Sequence, residues 1–218
     1  MPGLFDAVKA ASLLTREVIV AFSAGKDSCV TLDLCARHFK TVRAYFLYQV
    51  PDLSFQEAAL RFAEKRYGIE IMRLPHFEVA DFLKYGAFCK QDANVRRVKP
   101  LEMYNYVREQ TGIHWIAAGE RIADSIIRRA MIKQSSAIDA KRGRFYPVAE
   151  WKKADIVRYI EHHKLKVSPE ARLLGHSFRS LMPEDMAKIK EHYPADFDKI
   201  CRIYPFAEAS ALKFEMTQ

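Results

Sequence analysis

Short β-branched apolar runs alternate along the chain with longer stretches whose apolar residues recur at helical spacing. Residues 17–22, Glu-Val-Ile-Val-Ala-Phe, form such a run, the pattern of a strand covered on both faces of a parallel sheet. A helix to about Phe39 follows, with Asp27 or Ser28 placed to cap it. The alternation recurs: residues 42–48 predict a second strand, 55–67 a helix closed by Gly68, and 69–74 a third strand stopped by Pro75. After a less regular stretch, residues 100–110 predict a helix with Pro100 in its first turn, and 114–118 a fourth strand ending at Gly119.

Strands alternating with helices predict a parallel sheet with helices packed on it. Residues 151–162 then show helical spacing at Trp151, Ile156, Tyr159 and Ile160, followed by a polar connection through Ser168 and Pro169. Residues 184–192 and 196–204 predict two short helices parted by Pro194. The expected organisation is an α/β domain over residues 1–165 with a helical C-terminal extension over 166–218. That extension reads as a packing or oligomerisation appendage, which makes a homo-oligomer one expected assembly.

Composition narrows the function classes. Of the 218 residues half are hydrophobic and 28% charged, the balance of a globular chain and not of a disordered one. The 35 Lys and Arg against 27 Asp and Glu leave a net charge of +8, which favours anionic partners such as nucleotides or nucleic acid. No apolar run approaches the roughly 18 residues of a membrane span, so no membrane partner is expected and the cytoplasm is the expected location. Cys29, Cys35, Cys89 and Cys201 form no CxxC pair, which fits reduced thiols. The seven histidines have no metal-ligand spacing, so no zinc site is expected.

The first chemical signal is Ser23-Ala24-Gly25-Lys26-Asp27-Ser28, set between the first strand and its helix. Backbone N–H groups and the positive end of the helix dipole converge there, which makes an anion site. Gly25 leaves room for an oxygen, Lys26 adds a mobile positive charge, and Ser23 and Ser28 add hydroxyls. Asp27 is placed to orient Lys26 or to hold Mg2+. The spacing is not that of the Walker loop. The second signal, Gly119-Glu120-Arg121-Ile122-Ala123-Asp124-Ser125-Ile126-Ile127-Arg128, follows the fourth strand at the sheet edge where open α/β folds bind ligands. Arg121 and Arg128 offer planar forks for phosphate or sulfate oxygens, with Ser125 as a neutral donor between them.

The first segment resembles the SGGKDS loop of the PP-loop, or N-type, ATP pyrophosphatase superfamily, with Ala24 where that family usually carries glycine. The pattern Gly-x-Arg-x-x-x-Ser-x-x-Arg at 119–128 is similar to one in the phosphoadenosine phosphosulfate (PAPS) reductase family, which also includes sulfate adenylyltransferase small subunits. Lys99-Pro100-Leu101 looks like that family's Lys-x-x-Pro-Leu segment. The stretch from Tyr146 to Trp151, with Asp155, looks like its Pro-Leu-x-x-Trp-x-x-x-Asp helix entrance. The resemblance implies an adenine nucleotide alpha-hydrolase-like, doubly wound parallel sheet. It also implies an ATP or PAPS site formed by residues 23–28, Gly119 and Ser125, with Lys26, Arg121 and Arg128 as the catalytic cations, Asp27 as the metal ligand, and Mg2+ as cofactor.

Departures from the family matter as much. Relatives carry Asp-Thr-Gly and then Phe-Pro-Glu-Thr where this chain reads Tyr48 to Glu57, and only Phe55-x-Glu57 survives. The reductase's C-terminal Glu-Cys-Gly-x-His nucleophile segment has no counterpart; Cys201, beside Lys199 and Arg202, reads as an inert buried thiol. Relatives with an iron–sulfur cluster use four cysteines, and the lack of partners for Cys89 leads to the expectation of no cluster. The first expected activity is cleavage of ATP at the α–β bond to adenylate an acceptor. The alternatives are sulfo transfer from PAPS to a thiol, modification of tRNA or DNA through a basic surface such as Arg144, Phe145, Tyr146, Lys152 and Lys153, and nucleotide sensing without turnover.

Overall fold

The computed structural model describes residues 3–178 and 180–216. In chain order the elements are α1 (Asp6–Leu14), β1 (Glu17–Ala21), α2 (Lys26–His38), β2 (Thr41–Tyr48), α3 (Ser54–Tyr67), β3 (Ile71–Pro75), α4 (Phe77–Tyr85), α5 (Pro100–Thr111), β4 (Ile116–Ala117), α6 (Ile126–Ser135), β5 (Ile138–Asp139), β6 (Arg144–Phe145), α7 (Lys153–His162), α8 (Pro169–Leu174), α9 (Pro183–His192), α10 (Pro194–Ile203) and α11 (Ala207–Glu215).

The strands form one sheet in the order β3-β2-β1-β4-β6-β5. β1 pairs in parallel with β2, Val18 against Val42 and Val20 against Ala44, and with β4, Ile19 against Ile116. β4 pairs in parallel with β6, and β5 closes the edge antiparallel to β6. The apolar run read as a doubly covered strand is that: Val18, Ile19 and Val20 are wholly buried. The chain steps outward from β1 to β2 and β3, then returns to β4 on β1's other side. A parallel sheet wound this way opens a crevice at the carboxyl ends of the strands where the order reverses, between β1 and β4.

Contacts divide the chain into two units. The first comprises the residues up to Phe46, Leu60–Met72 and Tyr106–Val167; the second comprises Leu47–Ala59, Arg73–Asn105 and the chain from Ser168 onward. In the first unit, Asp33 of α2 is buried and accepts hydrogen bonds from Tyr67 (2.8 Å), Tyr159 (2.7 Å) and Arg37 (2.6 Å). Burial alone pushes that carboxyl up, but the bonds from Arg37, Tyr159 and Tyr67 outweigh it and hold it below the usual range. The network ties α2 to α3 and α7 and so fixes the helix that leaves the loop at residues 23–28. In the second unit Phe55, Phe178, Met186, Ile189, Phe197, Ile200 and Tyr204 form the core, with Asp196 capping Ser54 through backbone N–H (2.8 Å) and hydroxyl (2.5 Å).

Several elements differ from the sequence reading. Helix α4 lies in the stretch read as irregular and has no fully buried residue, packing the partly buried Phe82 and Leu83 against the core of the second unit. β4 forms within the strand expected over 114–118 but has only two residues, and β5 and β6, also of two residues each, are too short for a period to register. The basic-aromatic group at Arg144–Tyr146 is not an exposed face: Phe145 and Tyr146 are fully buried, and Arg144 pairs with Glu120 at 3.1 Å. Among the described residues, no helix is long and apolar enough to cross a membrane.

Candidate functional site

The site lies wholly within the first unit. β1 ends at Ala21, and Phe22 still donates to Tyr45 O at 2.9 Å. The chain then turns sharply: Ala24 adopts the left-handed conformation, φ 57°, and is completely buried. Gly25 is the residue that caps α2, with extended backbone and no side-chain cap, so neither Asp27 nor Ser28 plays the capping part expected of it. Helix geometry begins at Lys26 because Ala24 has already reversed the chain direction, which puts Asp27 and Ser28 inside the first turn. The first-turn N–H groups of a helix have no acceptor within it.

Ser28 holds the loop together. Its buried hydroxyl donates to Gly25 O (3.0 Å) and accepts from the Ser23 N–H and the Ser23 hydroxyl, both at 3.1 Å. Thr31 Oγ1 bonds Asp27 O at 2.9 Å one turn further on. The two serines expected as ligand donors are thus first of all braces of the loop's shape.

The second segment arrives from β4. A Cβ on Gly119 would stand 3.1 Å from Asp27 C and Ser28 N, so glycine lets this segment lie directly on the first turn of α2. Arg121 is buried, its side chain 7% exposed, with Nε 2.9 Å from Asp27 Oδ1. Its Nη2 donates to Asp124 Oδ1 at 2.8 Å and its Nη1 to Trp151 O at 3.4 Å. The Nε contact is an ion pair without hydrogen-bond alignment: both atoms are buried and neither has a hydrogen-bond partner. Asp124 Oδ2 accepts from the Arg121 N–H (2.9 Å) and from Arg128 Nη1 (3.2 Å). Ser125 caps α6, its hydroxyl accepting from the Arg128 N–H at 3.2 Å.

The three expected cations therefore divide. Arg121 is enclosed between two carboxylates, while Lys26 and Arg128 remain 38% and 43% exposed. Lys26 Nζ donates to Asp27 Oδ2 at 2.7 Å, so Asp27 has one cation on each oxygen. Asp124 is the residue that sequence reasoning passed over. Its signal was present: an acid three residues after one arginine and four before another can reach both, here from the turn that leads into α6.

The cysteines are separate from this site. Burial pushes the Cys35 thiol far up. Cys201 is pushed up by burial and by Glu208 and Asp198, against a smaller opposing effect of Lys190. Its basic neighbours are engaged elsewhere: Lys199 with Asp196 (3.0 Å) and Asp52 O (2.6 Å), and Arg202 with Asp198 O (3.4 Å). Among the described residues, no three His, Cys, Asp or Glu gather as a metal-binding group.

The model of the phosphoadenosine phosphosulfate reductase domain matches residues 17–181. No curated protein matches the sequence. Among solved structures, the chain is similar to the U34-tRNA thiolase from Methanococcus maripaludis with its 4Fe-4S cluster (16% identity, 93% of this chain and 78% of that one, TM-score 0.52). It is similar to the phosphoadenylyl-sulfate reductase from Candida auris in its phosphate complex (16% identity, 82% and 87%, TM-score 0.56). It is also similar to the NH3-dependent NAD synthetase from Campylobacter jejuni in complex with nitrate (12% identity, 97% and 92%, TM-score 0.52). The thiolase corrects one expectation: a protein of this fold does carry an iron–sulfur cluster, so the lack of a cysteine motif in sequence is no ground for excluding one. The match over most of its length, together with the loop at 23–28 and the arginine segment at 119–128, makes this chain a member of the phosphoadenosine phosphosulfate reductase domain family.

Proposed function

We propose that the chain binds an adenine nucleotide through Ser23–Ser28 and adenylates an acceptor with ATP. The acceptor's nucleophilic atom attacks the α-phosphorus, the bond from that phosphorus to the bridging oxygen breaks, and pyrophosphate leaves with the electron pair. Lys26 and Arg128 meet the charge that develops on the phosphate oxygens. Asp27 holds Lys26 and Asp124 holds Arg128, with Arg121 set between the two carboxylates, and Gly119 and Ser125 shape the wall of the site. The observation that supports this reading best is the union of an N-terminal helix turn with two exposed cations, each tethered by a carboxylate that an incoming phosphate can relieve.

Calorimetry that ranks ATP, adenylyl sulfate and PAPS, followed by a pyrophosphate-release assay with ATP, tests the proposal. Tighter binding of ATP and acceptor-dependent pyrophosphate are expected. Preferred binding of PAPS with release of sulfite in the presence of a thiol donor would replace it with sulfo transfer. The upward-shifted Cys201 thiol argues against Cys201 itself as the accepting group in that case, since the thiolate is the nucleophile.

A further inference from the structure

Helix α6 leaves the site at Ser125 and is almost unpacked. Its buried residue is Ile132, which with partly buried Met131 rests on Ala118, Tyr146 and Ala149. Ile126 and Ile127 stand 82% and 81% exposed at its start, and Arg129, Ala130, Lys133 and Gln134 are exposed beyond them. No carboxylate occurs between Ser125 and Ile138. The helix therefore presents two bare isoleucines at the edge of the nucleotide cradle and a purely cationic ridge leading away from it. Lys141 is also exposed in the turn that follows β5.

A ten-residue helix is marginal on its own in water, and exposed β-branched residues at its first turn add nothing to its stability while unbound. A protein partner fits this face poorly. Protein interfaces bury about 800 Å² per side around an apolar centre, and here two large apolar side chains stand beside charges of one sign. A partner whose charge is uniformly negative and whose apolar surfaces come singly fits better. Phosphates at regular intervals answer the cations, and the flat face of an unpaired base answers the isoleucines.

We infer that the exposed face of α6 docks a single strand of nucleic acid, with phosphates along Arg129 and Lys133 and an unpaired base on Ile126 and Ile127. This rests on the adenylation reading and names its acceptor: a nucleotide of that strand is delivered to the cradle by the same helix that carries Arg128. A duplex lacks the free base face, so it binds less tightly than a single strand.

The test is fluorescence anisotropy with labelled single strands of about 16 nucleotides, RNA and DNA, against the corresponding duplex and against poly-glutamate, with ATP binding measured in parallel by calorimetry. The expected result is single-strand binding that weakens steeply with salt. The double variant Arg129→Ser/Lys133→Ser loses at least tenfold in affinity, and its log–log salt slope shrinks by about 0.7 for each cation removed. Ile126→Ser/Ile127→Ser loses about tenfold with the slope unchanged, as expected for lost apolar contact. ATP affinity stays at the parent value in both variants, because neither touches the loop.

Absence of strand binding in a protein that binds ATP overturns the inference and leaves the adenylation reading standing. Absence of ATP binding strikes the reading beneath it. Equal binding of poly-glutamate, or a preference for the duplex, also overturns the inference, in favour of an acidic protein or of helical nucleic acid.

Discussion

The loop at Ser23–Ser28 keeps its shape through backbone conformation and neutral hydroxyls, whereas the segment at Gly119–Arg128 keeps its shape through charge. In the loop, a left-handed Ala24, a capping Gly25 and the doubly braced Ser28 fix the path of the backbone. In the segment, Arg121 is riveted between Asp27 and Asp124, and Arg128 is aimed by the same Asp124. The two halves answer different needs. A backbone-built anion cradle costs no reorganisation when ligand arrives, while a side chain held by an ion pair can exchange a carboxylate for a phosphate. Asp27 joins them, with Lys26 of the loop on one oxygen and Arg121 of the segment on the other.

The largest effect expected from this contrast is that of Asp124→Asn. It takes a charge from a mostly buried pair and leaves the Arg121 guanidinium with Asp27 alone, at a cost of about 3 kcal/mol. A thermal melt without nucleotide should fall by roughly 6 to 12 °C. An unchanged melting temperature would mean that the segment is held by packing and that charge is incidental.

Lys26→Ala probes the other half. Removal of a charge-assisted contact to phosphate worth about 1.5 to 3 kcal/mol should weaken ATP binding by about 10- to 100-fold in calorimetry. The melting temperature should hardly move, since Lys26 is exposed and braces nothing but Asp27. If affinity survives and stability falls, Lys26 is a structural cation and the loop does not bind nucleotide as proposed.

Gly119→Ala attacks the seam. The added methyl meets backbone and not a flexible side chain, so the segment must lift from α2 by a few tenths of an ångström, costing about 1 kcal/mol. ATP affinity should fall with it, because Arg121 loses reach to Asp27. A loss of stability without any loss of affinity would show that the two halves bind independently.

What the sequence makes legible follows the same division. The strand, the tight loop and the helix are local features, and a run such as Val18–Val20 followed by small residues announces them. The arginines are visible as residue types, but not their occupations: the contact of Arg121 with Asp27 joins segments far apart in the chain, so its burial could not be read from its neighbours. Side-chain preference points to Asp27 or Ser28 as the cap, whereas the left-handed turn at Ala24 puts the helix start upstream, at Gly25. Two-residue strands carry no period at all, so the sequence of β6 looks like a basic-aromatic surface although Phe145 and Tyr146 are buried.

The smallest effect, and the finest test of the backbone-built half, is Ala24→Gly. An L-residue in the left-handed region costs roughly 1 to 2 kcal/mol, and glycine removes that cost. Against this, glycine frees the unfolded chain by about 0.4 to 1 kcal/mol, and the wholly buried methyl gives up about 0.8 kcal/mol of burial. The opposing effects nearly cancel, so the denaturation midpoint should shift by less than the equivalent of about 1 kcal/mol. ATP affinity should stay within about threefold, since Ser28 still braces the loop from inside. A gain well beyond that would reveal that alanine holds this turn under strain, and the loop would then share with the arginine segment the property of being kept in place by its neighbours.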